Sequence, residues 1–547
     1  MSKPMAKKGS GKAKKQGFLQ GAAILTMGTI LVKLLGALYK IPMNRIIGTE
    51  GFGHFNVAYS IFNVLLTVST AGLPIAVSRM ISQANTLGNR HQVQKTFRTS
   101  LAIFLGLGLL CSAAMELFAP QLAAWMGDPD AVWAIRVLAP AVLFLCMISS
   151  FRGYFQGQQY MTPTAVSQVI EAAAKLVLGL GAVYVVLDLG YGKAEAAGGA
   201  IFGVTSGSVL ALIYLFLQYC RKHVRPTGAP VSPLLSTRDT ARQLLRLAVP
   251  ITIGSTGLQI FNALDTKIIL ERLQDAQGLT SQAASSLFGT YSAAQTFYML
   301  PPALISPLAI SIIPSVTAAL TLNNHREARR TEESAIRMTA LISLPCAAGL
   351  SVLAGPIQAL AYDYDQQTLQ VAGPLLAILG VAVVFNCMIC VTNAILQAHG
   401  KVTIPIYTTL MGGLVNIVTD YVLIGLPGVG IYGAAIATIG YCGVIMFLNL
   451  LAMHRVLALP PRTLQQFVKP VVATALMSVA TYLTYEGLYY ALASGTLALL
   501  GAVLVAVAVY VALVYAMKII TWYDCKFLPK GELLARLLRV SPKDQEE

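Results

Sequence analysis

Long apolar runs constrain this chain more than any other feature of its sequence. A helix needs about 20 mostly apolar residues to cross a bilayer, and we find fourteen such runs among the 547 residues. Charged residues make up only 11% of the chain, whereas about 25% is usual in soluble proteins. We therefore predict an all-α, polytopic membrane protein. The predicted spans cover residues 18–46, 54–78, 98–118, 132–152, 164–187, 198–219, 247–271, 287–313, 335–355, 368–396, 404–424, 431–453, 468–490 and 496–518.

The net charge of +16 is distributed in a way that argues for a membrane topology rather than for nucleic-acid binding. Lys and Arg concentrate before the first span, between spans 2 and 3, 6 and 7, and 8 and 9, and after spans 12 and 14. By the positive-inside rule these segments face the cytoplasm. Both termini are thus predicted to be cytoplasmic, which requires an even number of spans, and a multi-pass membrane location is expected.

The first twelve spans resemble two copies of one six-span unit. Phe118-Ala-Pro120 recurs as Ala354-Gly-Pro356, and Thr162-Pro163 recurs as Thr403-Ile-Pro405, at offsets of about 236 and 242 residues. An even number of spans per copy gives both copies the same orientation, as in transporters whose halves are related by an axis along the membrane normal. The predicted organisation is a basic N-terminus (1–17), an N-lobe (18–219), a cytoplasmic linker (220–246), a C-lobe (247–453), an extra pair of spans (454–518) and an amphipathic cytoplasmic tail (519–547).

No loop between spans is large enough for a catalytic domain. The longest, about residues 220–246, contains a single acid, Asp239. General acid–base chemistry needs positioned pairs of titratable groups, which this loop does not supply. We predict that the protein is not an enzyme and that it needs no cofactor.

Several cations lie within the spans of the N-lobe. Counting 1.5 Å per residue, Lys33 lies about 22 Å into the first helix, and Lys40, seven residues on, shares its face. A charge at this depth is costly and marks a functional position by default, although snorkelling to headgroups is an equal alternative for Lys40 and Arg45. Glu171 and Lys175 stand four residues apart, which suits an intrahelical pair, with cavity lining as the alternative. The excess of cations favours an anionic substrate.

The C-lobe instead carries oxygen-bearing side chains at similar depths. Asp265 lies about 27 Å from the cytoplasmic side, Asp420 about 24 Å and Thr438 about 20 Å, with Asn416 one turn from Asp420. Carboxylate, amide and hydroxyl oxygens are ligands for a hard cation such as Na⁺. The alternative is that Asp265 pairs with Lys267 and Asp420 with another helix.

Three segments carry a resemblance to a known family: Lys33-Leu-Leu-Gly36, Arg45-Ile-Ile-Gly48-x-Glu50-Gly51 and Ser69-Thr-Ala-Gly-Leu-Pro74-Ile-Ala. Together with the plan of six plus six plus two spans, they resemble the polysaccharide-export branch of the multidrug/oligosaccharidyl-lipid/polysaccharide (MOP) superfamily, which includes lipid II flippases and stage V sporulation protein B. The resemblance implies that the chain turns undecaprenyl-pyrophosphate-linked saccharides across the membrane by alternating access.

The resemblance also implies roles for particular residues. Lys33 stands where such flippases carry a pyrophosphate-binding arginine, and Tyr39, next to Lys40, aligns with a second one. Basic residues that those relatives carry in the second and eighth helices are absent, with Thr67 at the first of these positions. Some relatives bind sodium through an acid of the seventh helix, an Asn-x-x-x-Asp of the eleventh and a threonine of the twelfth, which match the following residues: Asp265, Asn416, Asp420 and Thr438.

We therefore expect a monomeric flippase in which Lys33, Tyr39, Lys40, Arg45 and Lys175 bind the pyrophosphate of a cell-wall or polysaccharide precursor. Na⁺ or H⁺ would be the coupling ion, and spans 13 and 14 would offer a groove to the polyprenyl tail. Membrane lipids are expected partners, and cell-wall synthesis proteins and a role in sporulation are left open. The alternatives are a multidrug/cation antiporter of the same superfamily and a non-transporting scaffold for cell-wall enzymes.

Overall fold

The computed structural model describes residues 18–222 and 234–525, and these residues form helices and no β-strand. The predicted basic N-terminus, much of the linker and most of the amphipathic tail lie outside the described residues. The first half contains α1 (Phe18–Thr70), α2 (Leu73–Thr86), α3 (Arg90–Leu117), α4 (Ala119–Trp125), α5 (Val132–Gly157), α6 (Thr162–Ala174), α7 (Leu180–Asp188) and α8 (Lys193–Lys222). The second half contains α9 (Thr237–Asp275), α10 (Ser281–Tyr298), α11 (Leu300–Thr321), α12 (His325–Val352), α13 (Ala354–Tyr362), α14 (Gln366–Ala398), α15 (Thr403–Gly425), α16 (Tyr432–Val456), α17 (Thr463–Leu492), α18 (Gly495–Ala516) and α19 (Trp522–Cys525).

Thirteen stretches among the described residues are long and apolar enough to cross a membrane, and the first of them contains two spans. This stretch, Met27–Thr86, has 60 residues, or about 90 Å of helix, three times the thickness of the hydrocarbon layer. It is interrupted at Gly48, whose φ of 72° and ψ of 178° are open in practice only to glycine. The two arms of α1 on either side of Gly48 and the twelve other stretches make fourteen spans, which confirms the predicted fold class.

Other helices are interrupted where the sequence contains proline. α10 ends at Tyr298, and α11 begins at Leu300 with proline in its first turn, so the eighth span is broken at Met299. Pro301 and Pro302 lack the amide donors that would continue the helix. A turn of π-helix, Lys175–Gly179, connects α6 to α7 and was not predicted, because such bulges have no clear sequence signal. The predicted division into two repeats is not tested by these features and stays a prediction.

The two lobes meet most closely where α1 packs against α10. A Cβ atom on Gly289 would lie 1.8 Å from the carbonyl oxygen of Thr49, and one on Gly53 would lie 2.1 Å from that of Ser285. Only glycine permits such an approach of two backbones. The hydroxyls of Thr49 and Ser286 are 2.6 Å apart and add a hydrogen bond across the contact. We call this close contact between α1 and α10 the seal.

The extra pair, α17 and α18, is attached to the C-lobe through a partly buried arginine, Arg337. The Arg337 guanidinium of α12 donates from Nη2 to Asp524 Oδ1 at 2.7 Å and from Nε to Asp524 Oδ2 at 2.9 Å. Its Nη1 donates to Gln466 of α17 at 2.6 Å. Asp524 is fully buried, so this ion pair ties the segment after α18 to both α12 and α17.

Candidate functional site

A central cavity of about 780 Å³ lies between the lobes. One wall is α1, and the others are α9, α10, α11, α14, α15 and α16. The broken eighth span contributes Met299 at its break and Pro302 just beyond it. The polar lining residues are Lys33, Lys40, Asn56, Gln259, Asn262, Asp265, Tyr291, Ser292, Gln295, Thr296, Tyr298, Ser306, Asn386, Thr409, Asn416, Thr438 and Tyr441.

Two lysines of α1 face this cavity. Lys33 and Lys40 line it together with Gly36 and Ala37, the small residues between them. The two lysines lie about two helical turns apart on one face, and the small residues leave room for a group that contacts both. Lys33 is exposed to the cavity, and the Lys40 ammonium lies 5.9 Å from the centroid of the Phe52 ring. The lining thus presents two ammonium groups and one carboxylate, Asp265.

A cluster of acids and amides forms the opposite side of the cavity. Asn416 Nδ2 donates to Asp265 Oδ1 at 2.5 Å and to Asp420 Oδ2 at 2.8 Å, which links α9 to α15. Asp420 is 1% exposed, and its Oδ1 atom has no hydrogen-bond partner. Thr438 of α16 lines the same cavity as Asp265 and Asn416. The structure therefore brings three of the four predicted cation ligands to one cavity, with the fourth bonded to them.

The side chains of this cluster offer oxygen ligands, the type that hard cations prefer. Among the described residues there is no group of three or more His, Cys, Asp or Glu side chains that could hold a metal ion. Two carboxylates, Asp265 and Asp420, supply oxygen ligands next to each other. Asn416 at present donates to both acids, so its amide would have to turn its oxygen inward to become a ligand.

Tyr39 does not face the cavity. It is fully buried inside the N-lobe, where its hydroxyl donates to the carbonyl oxygen of Ala200 of α8 at 2.7 Å. It stands one residue from Lys40, and adjacent residues of a helix point about 100° apart. The prediction that Tyr39 binds the pyrophosphate is therefore wrong, because its side chain does not lie at the cavity.

Lys175 lies behind α1 in a second, smaller cavity of about 280 Å³. Its ammonium donates to the Tyr59 hydroxyl at 2.7 Å and lies 4.9 Å from the centroid of the Tyr39 ring. Glu171, its expected intrahelical partner, is instead bonded to Arg152 of α5, with 3.0 Å between Nη2 and Oε2. The tertiary contact with α5 replaces the pair that the spacing predicted.

Arg45 lies at the surface, at the same end of the molecule as the seal between α1 and α10. It pairs with Asp363 at 2.8 Å, and the two side chains are 54% and 71% exposed. Beside it, Asn44 donates to the Tyr364 hydroxyl at 3.0 Å. Burial raises the pKa of Tyr364, so this hydroxyl stays protonated. The structure places Arg45 in a contact between α1 and the segment after α13, away from Lys33.

Several functional residues carry only a weak signal in the sequence. Tyr291 of α10 lines the cavity, and its hydroxyl lies 2.9 Å from Thr438 Oγ1. Gln259 and Asn262 line the cavity with Asp265. Their spacing of three residues on one face of α9 could have indicated this. Tyr291 is an aromatic residue in an apolar run, a pattern that does not distinguish a cavity residue from a core residue.

Comparisons with known proteins agree with this architecture. The family model for polysaccharide biosynthesis proteins matches residues 18–320, and the MatE model matches residues 280–422. The lipid II flippase MurJ of Bacillus subtilis (strain 168) is 27% identical over 78% of this chain and 81% of its own. Stage V sporulation protein B of the same organism is 26% identical, over 81% of this chain and 85% of its own.

A solved structure shows the same fold. The lipid II flippase MurJ in an inward closed conformation superimposes with a TM-score of 0.68 at 15% identity, over 90% of this chain and 98% of that one. The polysaccharide biosynthesis model spans more than half of the 547 residues. The chain belongs to the polysaccharide biosynthesis protein family, a multi-pass membrane flippase and transporter family of the MOP superfamily.

Proposed function

We propose that this protein is a flippase for an undecaprenyl-pyrophosphate-linked saccharide, lipid II or a related cell-wall or polysaccharide precursor, and that it works by alternating access. The observation that carries the proposal is the pair of lysines, Lys33 and Lys40, that face a central cavity at membrane depth. A pyrophosphate bears negative charge that must be shielded from the hydrocarbon layer. Lysine is a well-established phosphate ligand that acts as a point charge.

The remainder of the cavity suits the saccharide. Gln259, Asn262 and Gln295 line it, and amide side chains can both donate to and accept from sugar hydroxyls. The extra pair, α17 and α18, would hold the polyprenyl tail at the lipid-facing side of the C-lobe. The substrate's polar head and its tail would then occupy different parts of the molecule.

A cation at Asp265, Asn416, Asp420 and Thr438 would couple transport to the membrane potential. Na⁺ is the ion that we propose, with H⁺ as the alternative. Inward movement of one charge releases about 2.3 kcal/mol per 100 mV. Because Asp265, Asn416 and Thr438 line the C-lobe side of the cavity and the lysines line the N-lobe side, cation and substrate would meet different lobes. Rocking of the lobes requires the seal of Thr49, Ser286 and Gly289 to open in the other state.

We further propose that the protein works as a monomer in the bacterial cytoplasmic membrane, with both termini in the cytoplasm, and that it transports without catalysing a reaction. Membrane lipids and the lipid-linked substrate are its proposed partners.

An antiporter of drugs or cations is the second candidate, favoured by the MatE match over residues 280–422 and by the buried acids of the C-lobe. Such a transporter would need acids in the N-lobe cavity. Glu171 is the acid that lines the smaller N-lobe cavity, and its carboxylate is bonded to Arg152. The lysines of the central cavity therefore favour the flippase.

Complementation of a bacterial strain depleted of its lipid II flippase tests the proposal. We expect the wild-type chain to restore growth and Lys33→Met to fail at equal protein level in the membrane. A hydrogen bond to a charged group contributes about 1.5–3 kcal/mol, so translocation of lipid-linked saccharide should fall about 10- to 100-fold.

Lys193→Met is the matched control, because Lys193 is 56% exposed and pairs at the surface with Glu50; it should restore growth. Full activity of Lys33→Met would contradict the role of this lysine. Failure of the wild-type chain to restore growth, together with export of cationic drugs, would favour the antiporter.

A further inference from the structure

An apolar groove of about 280 Å³ lies between the lobes, separate from the central cavity. The second arm of α1, the end of α3 and the short helix α4 form its N-lobe walls, and α9 forms its C-lobe wall. Ile61 and Ala263, at its floor, are each 5% exposed, whereas Phe118 and Trp125, at its rim, are 56% and 47% exposed. The groove is therefore open along one side and closed at its base.

The groove lies within the membrane. Counting 1.5 Å per residue from the predicted starts of the third and seventh spans, residues 98 and 247, Ala114 lies about 24 Å and Ile260 about 20 Å into the membrane. These lining residues therefore stand at similar levels. By the positive-inside rule, both helices start at the cytoplasmic side. The open side of the groove would then face the outer leaflet of the bilayer.

Water is a poor occupant of this groove. Its volume equals that of roughly nine water molecules in the liquid, but each buried water needs two to four polar partners. All ten lining residues are apolar, and the indole N–H of Trp125 is the single polar group among their side chains. A hydrocarbon chain has no hydrogen bonds to give up on entering such a site, and it covers apolar surface that water would otherwise contact.

The rim of the groove carries groups suited to a lipid headgroup. The Lys267 ammonium of α9 lies 5.5 Å from the centroid of the Trp125 ring. It also pairs with Glu271, whose side chain is 43% exposed. Lysine beside tryptophan is the arrangement typical of the membrane–water interface. A zwitterionic headgroup matches this pair of charges, with its phosphate toward Lys267 and its amine toward Glu271.

We propose that this groove binds one acyl chain of a zwitterionic membrane phospholipid. Because its walls belong to both lobes, the bound chain stabilises the arrangement in which α1 and α9 stand as they do here. A ligand shifts a conformational equilibrium by its difference in affinity for the two states. The lipid composition of the membrane would therefore influence how readily the lobes separate at this seam. The proposal does not depend on the identity of the transported substrate.

Quenching of Trp125 fluorescence by brominated lipid tests the proposal. The chain contains three tryptophans, so Trp133→Phe with Trp522→Phe leaves Trp125 alone. The full chain is reconstituted in vesicles of phosphatidylcholine with or without bromine on the acyl chains, and without any polyprenyl lipid. Ala263→Phe and Ala114→Leu fill the groove from opposite walls. Each should lower the quenched fraction of the Trp125 signal.

Ile253→Phe is the matched control, because Ile253 lies on the same helix as Ala263, is 67% exposed and does not line the groove. It should leave quenching unchanged. Equal quenching in both filled variants and in this control would show that bromine reaches Trp125 from bulk lipid alone, and it would overturn the proposal. If added polyprenyl phosphate relieved the quenching of Trp125 by brominated phospholipid, the preferred occupant would be a polyprenyl chain. This result would also overturn the proposal.

Discussion

Single side chains illustrate how similar sequence contexts lead to different surroundings. Lys33, Arg45 and Lys175 all interrupt apolar runs, and each could be predicted to face a polar environment because a lone charge in lipid is costly. Lys33 lines the central cavity, Arg45 pairs at the surface with Asp363, and Lys175 bonds to Tyr59 in a separate cavity. Depth follows from residue counting, whereas the partner of each charge depends on helices far away in the sequence.

Asp420 is the residue whose substitution most directly tests ion coupling. Asp420→Asn keeps the size of the side chain and removes one of the two carboxylates near Asn416. Because Asp420 belongs to the proposed cation cluster with Asn416 and Asp265, we expect transport to lose its dependence on Na⁺. The measurement is the initial rate of translocation in vesicles with Na⁺ or choline outside. Asp363→Asn, at the exposed surface, is the control. If Asp420→Asn kept the Na⁺ dependence of the wild-type chain, the acid cluster would have a structural role and would not bind the coupling ion.

Tyr291 should influence the same site through one hydrogen bond. The Tyr291 hydroxyl lies 2.9 Å from Thr438 Oγ1, and Thr438 Oγ1 also donates to the carbonyl oxygen of Ala434 at 3.0 Å. Tyr291→Phe removes a hydrogen bond that contributes about 1 kcal/mol to holding the Thr438 side chain in place. We therefore expect the half-saturating Na⁺ concentration to rise about five-fold.

Tyr298→Phe is the matched control for this experiment. Tyr298 is also a buried tyrosine of α10, but its hydroxyl contacts Cys442 and Asn386 rather than the acid cluster. Its substitution should leave the Na⁺ titration unchanged. An equal shift in both variants would mean that the effect comes from loosened packing of α10.

Helices are positioned relative to each other by small residues that the sequence shows but does not explain. Thr49-x-x-x-Gly53 and Ser285-x-x-x-Gly289 are both pairs of small residues one turn apart, a spacing that favours close helix contacts in membranes. The structure shows that these two pairs contact each other. Many other small residues have this spacing in the chain, so the pattern alone did not identify the seal.

Gly289→Ala should weaken the seal between α1 and α10. The added methyl group would overlap the carbonyl oxygen of Thr49, and overpacking of this kind costs about 1–3 kcal/mol. We expect a disulfide between Thr49→Cys and Ser286→Cys to form more slowly in this background. Gly349→Ala, where a Cβ meets no atom within 4 Å, is the control. An unchanged rate of cross-linking would show that the helices accommodate the methyl group in the closed arrangement.

At the scale of the whole molecule, residues 18–222 and 234–525 contain fourteen spans, a number that follows from hydropathy together with the break at Gly48. The extra pair is held to the C-lobe by Arg337 and Asp524. We therefore expect α17 and α18 to move with α12 when the lobes rock. Hydropathy predicted that these helices exist, but not which lobe they contact, because that depends on a pair of charges 187 residues apart.

The predicted orientation can be tested with two cysteines at opposite ends of the sixth span. Cys220 is exposed near the end of α8, and Tyr191, 58% exposed, lies before its start. In a background without other cysteines, a membrane-impermeant maleimide added to intact cells should label Tyr191→Cys and leave Cys220 unlabelled until the membrane is permeabilised. Labelling of Cys220 in intact cells would show that the end of α8 faces outward and would contradict the predicted orientation.

Sequence alone determined the protein class and the number of spans, and it predicted the depths at which Lys33, Asp265 and Asp420 occur. These properties depend on local hydropathy and on a constant rise per residue, which can be counted along the chain. Tertiary structure decided that Tyr39 is buried, that Glu171 bonds to Arg152 and that an apolar groove separates α4 from α9. Such features depend on the rotation of each helix about its axis and on which helix lies beside it, and packing between distant segments sets both.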